Sequence, residues 1–378
     1  MVQFTHALAA ALLATGAIAH GDVNKEILRR RAHLEHPYRR SVLDCKRDLE
    51  ASGWARKNLE RREARLNELR VEAGFAKRDE LARREPQLYN PDARTAQGCT
   101  TLDQEQTEGP YWVSGELIRQ DIVTGEPGVK LHLDINVIDV TDCTHVVDTF
   151  VELWGANSTG VYTGVQSVVN GDGSASSLSS NALRGIQPTD ANGTARFITV
   201  VPGHYVARTN HLHTIIHQGA KLLPNNTIEG GVIPHVGQFF IEQDWLDRIE
   251  KTDPYNTNKQ KVVLNKDDGL YVWGFKGGDN PNIQLSLIGD KIEDGLYGTI
   301  DVGINSTYRL DPSPVNQWTD HGGIPAEGSL WKGYPNPATC IGCRPQNDTA
   351  PQSSSSPSPS PESSPEPPHK IVDLDLHI

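Results

Sequence analysis

The sequence predicts a mainly β protein: an antiparallel β-sandwich core, an N-terminal helical extension and a disordered C-terminal tail. Three observations carry this. Seven short apolar stretches between residues 131 and 304 have strand character, with turn signals rather than helix-period segments between them. Residues 24 to about 84 are rich in helix formers and charge. The run PQSSSSPSPSPESSPEPP (351–368) has too little apolar side chain to bury a core.

The elements follow in order. The first twenty residues contain no Asp, Glu, Lys or Arg, and their apolar run ends in Ala17-Ile18-Ala19, a small-x-small cleavage pattern. Residues 1–19 therefore read as a secretory signal, and no later stretch is a candidate membrane span. Residues 20–90 read as a basic helical extension or pro-segment. WARKNLERREARLNELRVEAG carries the opposite-charge pair Arg56–Glu60 and a thin apolar stripe of Leu59, Leu66, Leu69 and Ala73, which suits a solvated helix lying on a partner. The net charge of −12 is uneven: residues 21–90 hold 18 Lys/Arg against 13 Asp/Glu, so the remainder is strongly acidic. That excludes nucleic-acid binding by the whole chain and lets the extension touch an acidic surface, its own main domain included. Dibasic steps at Lys46-Arg47, Lys77-Arg78 and Arg83-Arg84 read as processing sites or plain surface charge.

Residues 91–345 form the expected sandwich domain. LHLDINVIDV (131–140) alternates Leu131, Leu133, Ile135 and Val137 with polar neighbours, the pattern of a half-buried strand. Strands are also expected over 148–154, 196–201, 211–217, 237–242, 283–289 and 298–304, with turns at Asp190–Gly193, Asn170–Gly173 and Asp267–Gly269. Residues 346–378 are the expected tail. Five Asn-x-Ser/Thr sequons, at Asn157, Asn192, Asn225, Asn305 and Asn347, agree with a secreted, extracellular glycoprotein. The five cysteines agree with an oxidising compartment, and Cys99–Cys143 is the expected disulfide because the two flank the first strand pair.

Chemistry concentrates in PGHYVARTNHLHTIIH (202–217). On a strand, side chains two apart share a face, so His211 and His213 lie side by side; His217 shares their parity two pleats on. Such a pair alone suits zinc, copper, iron or nickel, or no metal at all. Tyr205 narrows the choice. A phenol ionises near pH 10 and becomes a ligand beside a strongly charged cation, so tyrosinate with imidazole points to ferric iron over zinc. A second tyrosine, Tyr162, would bring a 3+ centre to a net charge of +1.

TEGPYWVSGELIRQDI (107–122), LWGANSTGVYTGV (153–165) and LRGIQPTDANGTARFITVVPGHYVARTNHLH (183–213) together resemble the intradiol ring-cleaving dioxygenases, closest to the protocatechuate branch and its secreted fungal-type relatives. The resemblance covers about residues 99–245. It implies Tyr162, Tyr205, His211 and His213 as ligands of Fe(III), with Tyr205 the one that leaves when substrate binds. It implies Arg208 beside the substrate, offsetting negative charge, and Gln238 as an active-site glutamine. The implied partners are a catechol-type diol and O2, with no nucleic acid and no membrane span, and with a homodimer as an option for assembly. The implied reaction cuts the bond between the two hydroxylated carbons to a cis,cis-muconate-type diacid. Gly155, His204 and Ala207 depart from the family's usual residues without removing a ligand. His217 and His235 receive no role. The competing reading is a sandwich that binds a metal or an aromatic ligand without turnover; the set of four ligands plus Arg208 favours the enzyme. No His-Glu-x-x-His or Gly-x-Ser-x-Gly supports a hydrolase.

Overall fold

The computed structural model describes residues 41–76, 101–102, 105–167, 170–171, 173–275 and 278–329. The expected signal, the dibasic steps after residue 76 and the Ser/Pro tail lie outside the described residues.

Two helices come first, α1 (Lys46–Ala51) and α2 (Trp54–Glu72). Strands β1 (Thr101–Leu102), β2 (Val113–Ser114), β3 (Lys130–Asp139), β4 (Thr144–His145), β5 (Phe150–Gly155), β6 (Arg184–Pro188), β7 (Thr194–Val200) and β8 (His211–Gln218) follow. After the short pair β9 (Lys221–Leu222) and β10 (Ile228–Glu229) come β11 (Val232–Phe240), α3 (Gln243–Ile249) and α4 (Gly269–Gly274). The described chain ends with β12 (Gln284–Leu287), β13 (Leu296–Ile304), β14 (Asn316–Thr319) and β15 (Gly322–Pro325). Among the described residues no helix is long and apolar enough to cross a membrane.

Two sheets pack face to face. One has β3 at its centre, flanked by β13, β7 and β4, with β1 and β12 on β13; the other runs β11-β8-β5-β6. Leu131, Leu133, Ile135 and Val137 of β3 meet Val151 and Leu153 of β5 and Leu212 and Ile216 of β8 in one core. Each of these lies at every second position, so alternation places one face of each strand in the sandwich. Pairing is mostly antiparallel, but β3–β13, β13–β1 and β14–β2 are parallel. The β3–β13 pair is possible because some 156 residues separate the two strands, ample for a crossover connection.

The second face of β3 is not solvated, contrary to the half-buried expectation. Helix α2 lies on it. Arg62 forms an ion pair with Asp301 of β13, which also accepts from Asn136 Nδ2 of β3 at 2.6 Å. Leu69, with Leu66 beside it, packs on Ile288 and Tyr297. The polar alternation of β3 is therefore an interface code for a basic helix. The stripe is shifted from expectation: Leu59 is exposed, while Asn58 and Leu69 are buried. Arg56–Glu60 pairs at 2.8 Å on the solvent side. Gly74, at φ +80°, reverses the chain after α2, and the Phe75 amide donates back to the Arg70 carbonyl.

The disulfide expectation is corrected. Cys143, in the β3–β4 turn, is bonded to Cys45, not Cys99. Cys45 sits with Val42, Leu49, Trp54, Ile138 and Val140 in a small core between the helices and the turn. This docking brings the two sulfurs together across 98 residues. Cys99 lies outside the described residues.

Candidate active site

The odd-numbered residues of β8 face away from the sandwich core. His211, His213 and Ile215 lie on the outer face of the four-stranded sheet, with Trp154 of β5 and Phe240 and Gln238 of β11 in register beside them. The Trp154 indole stacks on His213, with ring centroids 4.9 Å apart and planes 7° apart, and Phe240 lies against His211. Three irregular segments roof this face: the residues around Tyr111, the loop carrying Tyr162, and the turn Tyr205–Arg208.

Tyr162 stands in a loop, so its backbone needs partners that a strand would supply. Asn170 provides them: its Oδ1 accepts from the Tyr162 amide at 2.6 Å and its Nδ2 donates to the Tyr162 carbonyl at 2.7 Å. Tyr111 stacks on the Tyr162 ring at 4.5 Å, and both meet Tyr205 edge-on. The Tyr205–Arg208 turn contains Ala207 at φ +63°, a conformation that favours glycine.

The structure brings Tyr162, Tyr205, His211, His213, Arg208 and Gln238 together, none more than 2% exposed. Tyr205 Oη lies 3.1 Å from His211 Nε2, and His211 Nε2 lies 3.1 Å from His213 Nε2. His211 Nδ1 lies 2.6 Å from the Thr209 carbonyl, a contact that places the ring proton on Nδ1 and leaves the Nε2 lone pair facing inward. Burial, then the nearby Arg208 charge, holds both imidazoles well below the usual histidine range, so they are neutral. Burial pushes the Tyr205 phenol up to about 12 and Tyr162 well above its ordinary value. Among the described residues the Tyr162 hydroxyl has only the Tyr205 hydroxyl as a hydrogen-bonding neighbour.

These observations fit a bound cation. A buried phenol oxygen whose one hydrogen-bonding neighbour is another phenol is poorly satisfied, and the Nε2 atoms of two neutral imidazoles lie 3.1 Å apart. Among the described residues no group of three or more His, Cys, Asp or Glu could hold a metal. The donor set is instead two nitrogens and two phenol oxygens.

Arg208 is fixed from three sides. Nε donates to Asp268 Oδ2 at 2.7 Å, Nη2 donates to Gln238 Oε1 at 2.7 Å, and Nη1 lies 3.2 Å from His211 Nε2. Gln238 Nε2 in turn donates to the Thr107 carbonyl at 3.0 Å. Burial opposes the Arg208 charge, but Asp268 and Tyr205 outweigh it and leave the guanidinium above its ordinary value. Asp268 also caps α4, its Oδ1 accepting from the Leu270 and Tyr271 amides. Sequence reasoning missed Asp268 by reading Asp267–Gly269 as a turn. The available signal was an N-cap aspartate before an apolar run.

His217 and His235 stand outside the cluster. His217 Nε2 meets Glu152 Oε2 at 2.7 Å, and the other oxygen of Glu152 accepts from Trp112 Nε1. His235 Nδ1 meets Glu105 Oε1 at 2.8 Å, fastening the segment before Tyr111 along β11. His204 points away from the site and is held between Glu250 and the Gln260 carbonyl.

Residues 107–221 match the family model described as Dioxygenase. A comparison with curated proteins gives no match. Among solved structures, an intradiol ring-cleavage dioxygenase from Tetranychus urticae is 28% identical over 56% of this chain and 97% of that one, with a TM-score of 0.46. The dioxygenase domain of a carbohydrate-binding fusion from Streptomyces sp. SirexAA-E is 22% identical over 54% of this chain and 98% of that one (TM-score 0.36). Catechol 1,2-dioxygenase from Pseudomonas arvilla C-1 is 19% identical over 54% and 62% (TM-score 0.35). Residues 107–221 thus match the dioxygenase family, and the solved structures that the chain resembles are intradiol ring-cleaving dioxygenases, which are oxidoreductases.

Proposed function

We propose that this chain is a secreted ferric dioxygenase that opens a catechol-type ring between its two hydroxylated carbons. The observation that carries the reading is the convergence of two phenol oxygens and two neutral imidazole nitrogens in one dry place. Tyr162, Tyr205, His211 and His213 would hold the iron, which when bound supplies Lewis acidity toward the diol and a template for its reaction with O2.

The remaining chemistry belongs to the chain. As a phenolate, Tyr205 is a strong base in this site, because burial pushes its pKa up to about 12, so it is suited to take a proton from the incoming diol. Arg208 presents a fixed positive charge, oriented in advance by Asp268 and Gln238, where the substrate ring becomes negative. Tyr111, Trp154 and Phe240 surround the donors with apolar ring surface that excludes water.

Purified chain loaded with ferric iron is expected to be wine-red and to consume O2 with at least one of catechol, protocatechuate and hydroxyquinol. Tyr205→Phe should weaken the colour and slow turnover. A colourless protein holding stoichiometric zinc removes the ferric reading. Colour without O2 uptake on any diol leaves a binding module.

Secretion is supported by the apolar N-terminus and by the Cys45–Cys143 bond, which suits an oxidising compartment. The sequons differ in access. Asn225 is exposed, whereas Asn305 is buried with its side chain bound to Thr307. Asn157 is tied to Glu126, and the Asn192 carbonyl accepts from Trp54 under α2. Expression in a glycosylating host should place a glycan on Asn225, removed by Asn225→Gln and unaffected by Asn305→Gln. Peptide mapping that finds Asn305 glycosylated and Asn225 bare overturns this.

A further inference from the structure

Beneath the cluster lie a buried arginine and a buried glutamate whose carboxyl pKa is pushed up to about 8 by burial. Arg184, the first residue of β6, is fully buried and pairs in register with Trp154. Its Nε and Nη2 both donate to the Thr163 carbonyl, at 2.9 and 2.7 Å, and Nη2 also donates to the Tyr111 carbonyl at 2.7 Å. Thr163 follows Tyr162 directly. One guanidinium thus ties together the backbones of the two stacked tyrosines, which lie outside regular strands. Its central carbon is 6.0 Å from the centre of the Tyr162 ring.

The compensating charge is incomplete. Glu116, equally buried, is 3.9 Å from Arg184 Nε, beyond hydrogen-bond reach, and neither of its oxygens has a hydrogen-bond partner. Arg184 Nη1 has none either. A buried cation held this loosely costs free energy that packing does not return.

We propose that Arg184 is a positioning residue for Tyr162: it sets the ring's orientation through the Thr163 and Tyr111 carbonyls. The inference rests on the ferric-tyrosinate reading. It separates the two tyrosines by role. Tyr205 lies against Arg208, whereas Tyr162 has Arg184 behind it. An arginine is required because a lysine ammonium is a point charge without the planar fork that serves two carbonyls at once.

The test uses the iron-loaded full chain, reading visible absorption, iron affinity by competition with a chelator, and kcat and KM for the best diol. Arg184→Met is expected to weaken iron binding by about 10- to 100-fold. It should also move the tyrosinate-to-iron band to longer wavelength, as a less stabilised phenolate gives up its electron more easily. Arg184→Lys should restore part of the band position through its charge, with kcat falling more than KM rises. A folded Arg184→Met with the wild-type band and iron affinity overturns the proposal. If Arg184→Met does not fold, Arg184→Lys decides: a shifted band supports the role, and an unchanged band with unchanged affinity removes it. A red wild type with unaltered variants strikes this inference alone. A colourless, iron-free wild type strikes the ferric reading and this inference with it.

Discussion

Replacing Asp268 by alanine should destabilise the fold by about 3–5 kcal/mol and abolish most activity. The carboxylate holds Arg208 Nε at 2.7 Å and the Thr209 amide at 3.0 Å through one oxygen, and two α4 amides through the other. Removing it leaves the Arg208 guanidinium buried beside neutral groups, and an uncompensated buried charge carries that order of penalty. The lost helix cap adds about 1 kcal/mol more, not strictly additively. Asp268→Asn isolates the terms, since its amide oxygen can keep the cap while the charge goes. The double variant Arg208→Met/Asp268→Leu should recover much of the stability of Asp268→Ala, because an apolar pair can replace a buried ion pair at little cost. It should recover none of the turnover. Urea unfolding with kcat/KM on each variant checks this; a loss below about 1 kcal/mol in Asp268→Ala would mean that the pair is not holding the site.

The contrast between Asp268 and the four donors shows what the sequence makes legible. His211 and His213 share a face through strand parity alone, and Tyr205 and Arg208 are a short turn away, so local geometry nearly dictates their meeting. Tyr162 arrives from the loop after β5 and Gln238 from β11, the strand that pairs with β8, and only the motif order pointed to them. Asp268 comes from a loop about 60 residues after Arg208, with no periodicity to mark its partner. The sandwich was legible because β3, β8 and β13 place apolar residues on alternate positions. β6 (RGIQP) was missed because a glycine and a proline interrupt so short a strand. The outer face of β3 read as solvated because alternation reports which side is polar, not what covers it. The same limit hid Cys45: the pairing follows from where α1 and α2 dock, which no local pattern encodes.

Acid should destabilise this protein between pH 7 and pH 5, as the unfolded chain takes up protons on two side chains that the folded chain keeps neutral. His211 and His213 are held neutral by burial first and by Arg208 second, well below the ordinary value. In the unfolded chain each takes a proton near pH 6.5. Below that value the unfolded state binds more protons than the folded one, so stability rises with pH through this range. His132, depressed to about 4 by burial and by Arg65 and Lys130, acts in the same direction, while His204, raised by Glu250 and the Gln260 carbonyl against its burial, opposes it. The phenols set the other limit: Tyr162 and Tyr205 resist ionisation when folded, so stability falls again above about pH 10, where the unfolded phenols ionise. Iron at the cluster would compete with protons for the same imidazole lone pairs, so its release on acidification runs in the same sense as the loss of stability. Urea unfolding at pH 7, 6 and 5, with and without iron, measures the slope. The variant His211→Asn/His213→Gln, which cannot take up those two protons, should flatten it. An equal slope in that variant would place the acid sensitivity elsewhere in the chain and leave the two imidazoles without the buried, neutral state on which their lone pairs depend.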